Sequence, residues 1–210
     1  METRRERKKR QTRQALLDAA MTLFAERGIY GTRVEDITER VDLGKGAFYN
    51  YFPSKDAVIA ELVARGVERF DSGYLSKLNG SRSLAERVGE IARLHDAFLD
   101  GHPQYALLLH QARGLLQLKE SNVEKLGGVF SAYLLRVGRA LTPASDGESW
   151  PDDELRDLAA AVMGSVAGYR SFRIAANLPA HTNTATQILT LGLPELMQRR
   201  RAEYRAAPPE

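Results

Sequence analysis

Residues Thr32 to Asp56 read TRVEDITERVDLGKGAFYNYFPSKD, and the order of apolar and polar side chains within them decides the fold. Thr32 and Glu35 stand at the S/T-x-x-E spacing in which a hydroxyl and a carboxylate each take an unpaired amide of a helix start, so a helix is expected from about Thr32. Val34, Ile37 and Val41 recur at intervals of three and four and make one apolar stripe, with Glu35, Asp36, Glu39 and Arg40 outside it. Asp42-Leu43-Gly44 breaks the pattern. Beyond it, Leu43, Phe48, Tyr51 and Phe52 share an inward face, which leaves Lys45, Gly46, Tyr49 and Asn50 on the outer one. Pro53 ends this second helix, and Ser54 is placed to cap the next. Two short helices joined by a tight turn, with lysine and aromatic groups left on the outside of the second, make a helix-turn-helix, the arrangement that lays one helix in the major groove of DNA.

Upstream, QALLDAAMTLFAERGIYGT (residues 14–32) places Ala15, Leu16, Ala19, Leu23 and Phe24 to pack beneath the motif and leaves through Gly28-Ile29-Tyr30-Gly31. With Thr32, Ile37, Gly46, Phe48, Tyr49, Tyr51, Phe52, Ser54, Lys55 and Asp56, this stretch resembles the TetR family of bacterial transcriptional regulators over roughly residues 10–65. Four positions depart from the family's pattern. Asp42 replaces the usual glycine of the turn, Gly44 the usual Ser or Thr at the next helix start, and Thr38 and Val41 the usual alanines. Asp tolerates the left-handed backbone such a turn needs, and Gly is an acceptable N-cap, so the turn is expected to survive. The resemblance implies that Thr32 and Lys55 hold phosphates, that Lys45, Gly46, Ala47 and Tyr49 approach bases, and that Asn50 and Tyr51 lie at the groove edge or backbone, with Arg33 beside them.

Charge is placed unevenly. Among residues 1–13, Arg4, Arg5, Arg7, Lys8, Lys9, Arg10 and Arg13 stand against Glu2 and Glu6, whereas basic and acidic side chains balance over residues 61–210. DNA affinity is therefore expected near the N-terminus, from a basic arm over residues 1–10 that can also enter a minor groove. A composition of 43% hydrophobic and 27% charged residues over 210 positions is that of a soluble globular chain. There is no cysteine, which excludes disulfide scaffolds and thiolate metal sites and fits a cytoplasmic protein. The first residues are charged rather than apolar, and the uncharged stretch from Ile174 to Pro194 is too polar to span a bilayer, so no membrane partner is expected.

An all-α protein follows, with a three-helix DNA-binding domain over residues 11–56 (motif about 33–52), a larger helical domain over 57–205 and a tail over 206–210. Val58, Leu62, Val67, Phe70 and Tyr74 carry a fourth helix from Ser54 into the larger domain without a linker. Ser83–Glu86 and Ser121–Glu124 repeat the capping spacing, Gly101-His102-Pro103 separates two helices, and Thr142 to Pro151 is a loop. A long helix from Asp152 to about Asn177 and a last one from about Thr182 complete the chain. The resemblance implies that these two helices form a homodimer interface, with Leu155, Ala159, Val162, Met163 and Val166 joined by Ile188, Leu189 and Leu196. It also implies a small-molecule effector pocket in the larger domain, for which Phe98, Tyr105, His110, Gln111, Tyr133, Tyr169 and Arg173 are candidates.

His95, His102 and His110 lack metal-site spacing, and no cofactor is implied. Nor does any nucleophile elbow, phosphate-binding glycine loop or positioned acid/base pair point to an enzyme. The expected protein is a dimeric repressor released from a palindromic operator by a small apolar ligand. The alternatives are control by a protein partner or by no effector and, remotely, a helical-bundle enzyme.

Overall fold

The computed structural model describes residues 2–78, 83–117, 124–142 and 150–178, together with 187, 189–192 and 195. Among these the chain is helical without strands: α1 (Arg4–Arg27), α2 (Val34–Glu39), α3 (Lys45–Phe48), α4 (Lys55–Gly73), a 3-10 turn (Leu75–Lys77), α5 (Leu84–Gly101), α6 (Pro103–Gln117), α7 (Glu124–Leu141) and α8 (Asp152–Ala175). Two compact units result, and neither is the simple split expected at residue 56. One unit takes Met1–Glu68 with His102–Phe130, and the other takes Arg69–Gly101 with Ser131–Glu210.

In the first unit Leu16, Leu17, Ala20, Leu23 and Phe24 of α1 are buried with Ile37, Phe48, Phe52, Val58 and Leu62, so the motif rests on one apolar layer. The expected basic arm is a correction. From Arg4 onward it is the beginning of α1, capped by Thr3 and Glu6: the Glu6 amide donates to Thr3 Oγ1 at 3.2 Å and the Thr3 amide to Glu6 Oε2 at 2.8 Å.

In the second unit α5 lies along α8, burying Val88, Ile91, Ala92 and Leu99 with Leu155, Leu158, Ala159 and Val162. Gly138 of α7 sits against the Leu155 carbonyl so closely that a Cβ there would overlap it. The α8 end uses Asn177, whose φ of 53° lets the Leu178 amide donate to the Arg173 carbonyl at 2.9 Å.

Leu155, Ala159, Val162, Met163 and Val166, expected between subunits, are all buried inside a single chain. That stripe is subunit core. The opposite side of α8 is exposed at Ala160, Ala161, Gly164, Ser165 and Phe172, the last 79% accessible. Leu189 is buried too, while Ile188, Leu196 and Ser121 lie outside the described residues.

Candidate nucleic-acid interface

The site begins at the exit from α1. Gly28, at φ 77°, turns the chain out of the helix, and Thr32 closes the turn by donating its hydroxyl to the Gly28 carbonyl at 2.8 Å. Thr32 is 0% exposed. It therefore neither caps α2 nor offers its side chain to a phosphate, which corrects both expectations. The cap comes one residue later, where Asp36 accepts from the Arg33 amide at 2.7 Å and leaves the Arg33 side chain exposed.

Lys55 is corrected in the same way. Its ammonium donates to the Ile29 carbonyl at 2.8 Å and the Thr32 carbonyl at 2.9 Å, so it binds the turn from α4 rather than presenting a free cation. From α6, Gln111 completes the grip. Its Oε1 accepts from the Ile29 amide at 2.7 Å. One five-residue turn is thus held by side chains from two other helices.

The turn between α2 and α3 forms as the sequence requires. Asp42 takes φ 55°, and Gly44 precedes α3 with its carbonyl accepting from the Ala47 amide at 2.9 Å. Phe48 and Phe52 are buried, their ring centroids 5.7 Å apart, and beyond Phe48 the backbone tightens through the Asn50–Ala47 and Tyr51–Phe48 bonds. Lys45, Gly46, Tyr49 and Asn50 consequently project outward, while Ala47 and Tyr51 are half-buried. The Tyr49 side of this row is 52% exposed and stands edge-on to Phe48. Gly46 has no neighbour within 4 Å of the place a Cβ would take, so a duplex can come close to its backbone.

Charge around this row is also organised. Lys45 Nζ lies 2.5 Å from Glu35 Oε1; the hydrogen bond holds the Glu35 carboxyl below its ordinary range and pushes the Lys45 ammonium above its own. Both groups are exposed, so the pair yields to a stronger partner at small cost. Arg13, absent from the expected site, sits 4.5 Å above the Phe52 ring and pairs with Glu61 of α4. Arg65 joins them, bonding both Glu61 at 3.1 Å and Gln14 at 2.6 Å. Ser54 caps α4 as read, accepting from the Ala57 amide at 3.2 Å.

The expected pocket residues are divided between the two units. Tyr105, His110 and Gln111 fall in the unit that contains α1 to α3, whereas Phe98, Tyr133, Tyr169 and Arg173 fall in the other. Tyr105 packs on the α4 backbone, since a Cβ at Gly66 would be 2.7 Å from its ring; His110 is exposed, and Gln111 is committed to Ile29. In the second unit Phe70 is the centre of a buried aromatic cluster, 5.5 Å from Phe98, 5.6 Å from His95 and 6.1 Å from Tyr133. Tyr133 Oη stands 3.4 Å from His95 Nδ1. Tyr169 lies under the Arg173 guanidinium at 5.5 Å.

A buried aromatic platform that turns a short row of polar groups outward defines a helix-turn-helix DNA-binding head. Residues 16–62 match the sequence profile of the bacterial regulatory proteins, tetR family. Over that stretch the chain is similar to the family. It is 23% identical over 139 residues to the fatty acid metabolism regulator protein of Bacillus subtilis, covering 65% of this chain and 69% of the relative. It is 42% identical over 105 residues to the HTH-type transcriptional repressor KstR2 of Rhodococcus jostii, spanning 50% of this chain and only 52% of that protein. Among solved structures, the fatty acid degradation regulator FadR of Bacillus halodurans superimposes with a TM-score of 0.65 at 19% identity, covering 86% of this chain and 95% of that one. FadR of Bacillus subtilis, solved with stearoyl-CoA, gives 0.59 at 18% identity, covering 85% and 98%. No helix among the described residues is long and apolar enough to cross a membrane.

Proposed function

We propose that this chain is a transcriptional repressor that reads a palindromic operator as a homodimer and releases it on binding a small, largely apolar ligand. The observation that carries the DNA reading is the outward row Lys45, Gly46, Tyr49 and Asn50, fixed by Phe48 and Phe52 beneath it. Lys45 can exchange Glu35 for guanine O6 and N7, Ala47 and Tyr49 supply apolar contact to bases, and Arg33, Asn50 and Tyr51 border the sugar-phosphate backbone. One such row covers few base pairs, so two copies related by a two-fold axis are needed to specify a site. The exposed small-residue side of α8, ending at Phe172, is the surface offered for that pairing in place of the buried one.

The apolar ligand is supported by the aromatic cluster around Phe70 and by two similarities: a curated relative named for fatty acid metabolism and a solved one carrying stearoyl-CoA. Selection of bound sequences from a random duplex pool tests the first half of this reading. A two-fold symmetric consensus is expected, and failure to enrich any sequence overturns it. Titration of that DNA complex with long-chain acyl-CoA tests the second. Release is expected, with a reciprocal loss of ligand affinity on DNA equivalent to about 1–3 kcal/mol. An enriched consensus that no apolar ligand disturbs would favour control by a protein partner.

A further inference from the structure

Two neighbouring carboxylates open α2, and they have different partners. Asp36 serves the fold: it accepts from the Arg33 amide at 2.7 Å and pairs with Arg27 of α1 at 3.7 Å. Glu35 instead reaches across to the reading row, where it holds Lys45, the first residue of α3, at 2.5 Å; the two side chains are 43% and 57% accessible. The Glu35 amide bonds the same carboxylate, which fixes it beside the ammonium.

An acid at this place needs a reason, because the surface around it is the one turned to a polyanion. If Lys45 leaves Glu35 for a guanine, a negative charge without a donor remains in a groove lined by phosphates, from which water is withdrawn as the helix seats. The exchange is balanced only where one base pair offers an acceptor to the ammonium and a donor to the carboxylate.

Base pairs differ in this respect. In the major groove a G·C pair presents guanine N7 and O6 as acceptors and, beside O6, the cytosine N4 amino group as donor. O6 and N4 share a Watson–Crick hydrogen bond and so lie about 2.9 Å apart, close to the 2.5 Å that separates Lys45 Nζ from Glu35 Oε1. A T·A pair in the same sense offers thymine O4 and adenine N6, but O4 is a single acceptor with a methyl group at its side. C·G and A·T reverse the order, setting an amino group against the ammonium and a carbonyl oxygen against the carboxylate.

We propose that Glu35 determines specificity, its carboxylate accepting a hydrogen bond from the N4 amino group of the cytosine paired with the guanine that Lys45 reads. This rests on the DNA-binding reading above and adds to it the identity and the orientation of one base pair. Lys45 draws the head to a guanine; Glu35 rejects the pair turned the other way.

The test starts from the sequences that wild-type protein and Lys45→Ala select from a random duplex pool, since their difference marks the position read by Lys45. That position is expected to be G·C. Wild type, Glu35→Ala and Glu39→Ala are then compared by anisotropy on duplexes carrying G·C, C·G, T·A or A·T there. Glu39 is exposed one turn further along α2, so its replacement removes the same charge and leaves the Lys45 pair in place. Glu35→Ala is expected to reduce the preference for G·C over C·G by about five- to a hundredfold, whereas Glu39→Ala raises affinity for all four duplexes alike. A duplex with 2-pyrimidinone in place of the cytosine still pairs with guanine but has no N4 amino group, and it probes the unaltered protein. Wild type should lose at least about fivefold in affinity on it relative to the loss shown by Glu35→Ala.

Equal strengthening of all four duplexes by Glu35→Ala, with wild type and variant responding alike to 2-pyrimidinone, overturns the readout, reduces Glu35 to a repulsive charge and leaves the reading row intact. A selected sequence with no G·C at a position that depends on Lys45 also overturns it. Wild-type protein that enriches no sequence overturns the DNA-binding reading and this inference together.

Discussion

Gln111 is where the grip on the α1 exit is most open to measurement. Its side chain, 82 residues away in sequence, accepts from the Ile29 amide at 2.7 Å. Ile29 is 1% exposed, so water does not replace a lost partner. Gln111→Ala therefore strands a buried donor at a cost of about 1–3 kcal/mol. Gln111→Glu keeps an acceptor of the same reach and should recover part of the loss, offset by the desolvation of its charge. Urea denaturation of both variants gives the free energies. Hydrogen exchange adds a local readout, since a loss of 1.4 kcal/mol in the opening equilibrium makes exchange about tenfold faster. The Ile29 amide should accelerate by about ten- to a hundredfold in Gln111→Ala, beyond any change at amides within α5. Stability within about 0.5 kcal/mol of wild type, together with unaltered protection at Ile29, would refute the contact and the reasoning built on it.

Lys55→Ala leaves the Ile29 and Thr32 carbonyls without their ammonium donor; a loss of about 1–3 kcal/mol in urea is expected, with a smaller change in DNA salt slope than in affinity. Lys45→Ala should relax base preference at one position per half-site and cost about 1–3 kcal/mol per contact, seen by comparing selected sequences for the two proteins. Gly138→Ala drives a methyl into the Leu155 carbonyl and should lower stability by about 1–3 kcal/mol, measured by thermal melting. Glu61 is pushed up by burial, but Arg13 and Arg65 outweigh this and hold its carboxyl below 4.5. Its contribution is thus present above 4.5 and lost as pH falls through the lower folded value, so the stability difference between wild type and Glu61→Gln should shrink in denaturation series run from pH 7 toward pH 3.

The head was legible because its determinants are local. Asp42 in the left-handed region, Gly44 ahead of α3, Ser54 at the start of α4 and the inward pair Phe48 and Phe52 all follow from neighbours a few positions apart. What escaped the sequence depends on distance along the chain. Nothing in the spacing around Thr32 reveals that Gly28 will claim its hydroxyl, or that the Lys55 ammonium will meet two backbone carbonyls. Gln111 read as a polar group on an apolar helix, which describes a pocket residue and a strut equally well. The α8 stripe of Leu155, Ala159, Val162 and Val166 marks a buried face, but periodicity alone does not say whether α5 or a second subunit covers it.

Because α6 supplies both the acceptor for Ile29 and the ring that closes on Gly66, the reading head is not a detachable cassette. Exchange of regulatory specificity by grafting only the first 56 or 68 residues onto another scaffold would leave α1 with an unanswered amide and α4 with an uncovered backbone. A transplant that works must carry the segment His102–Phe130 as well, although it lies more than thirty residues downstream of Glu68 in the chain. Substitutions that adapt such a protein to a new operator are therefore constrained at positions no duplex touches. Of the two ends of that segment, His102 lies between α5 and α6, whereas Phe130 falls inside α7, so a recombination point at the latter interrupts a helix.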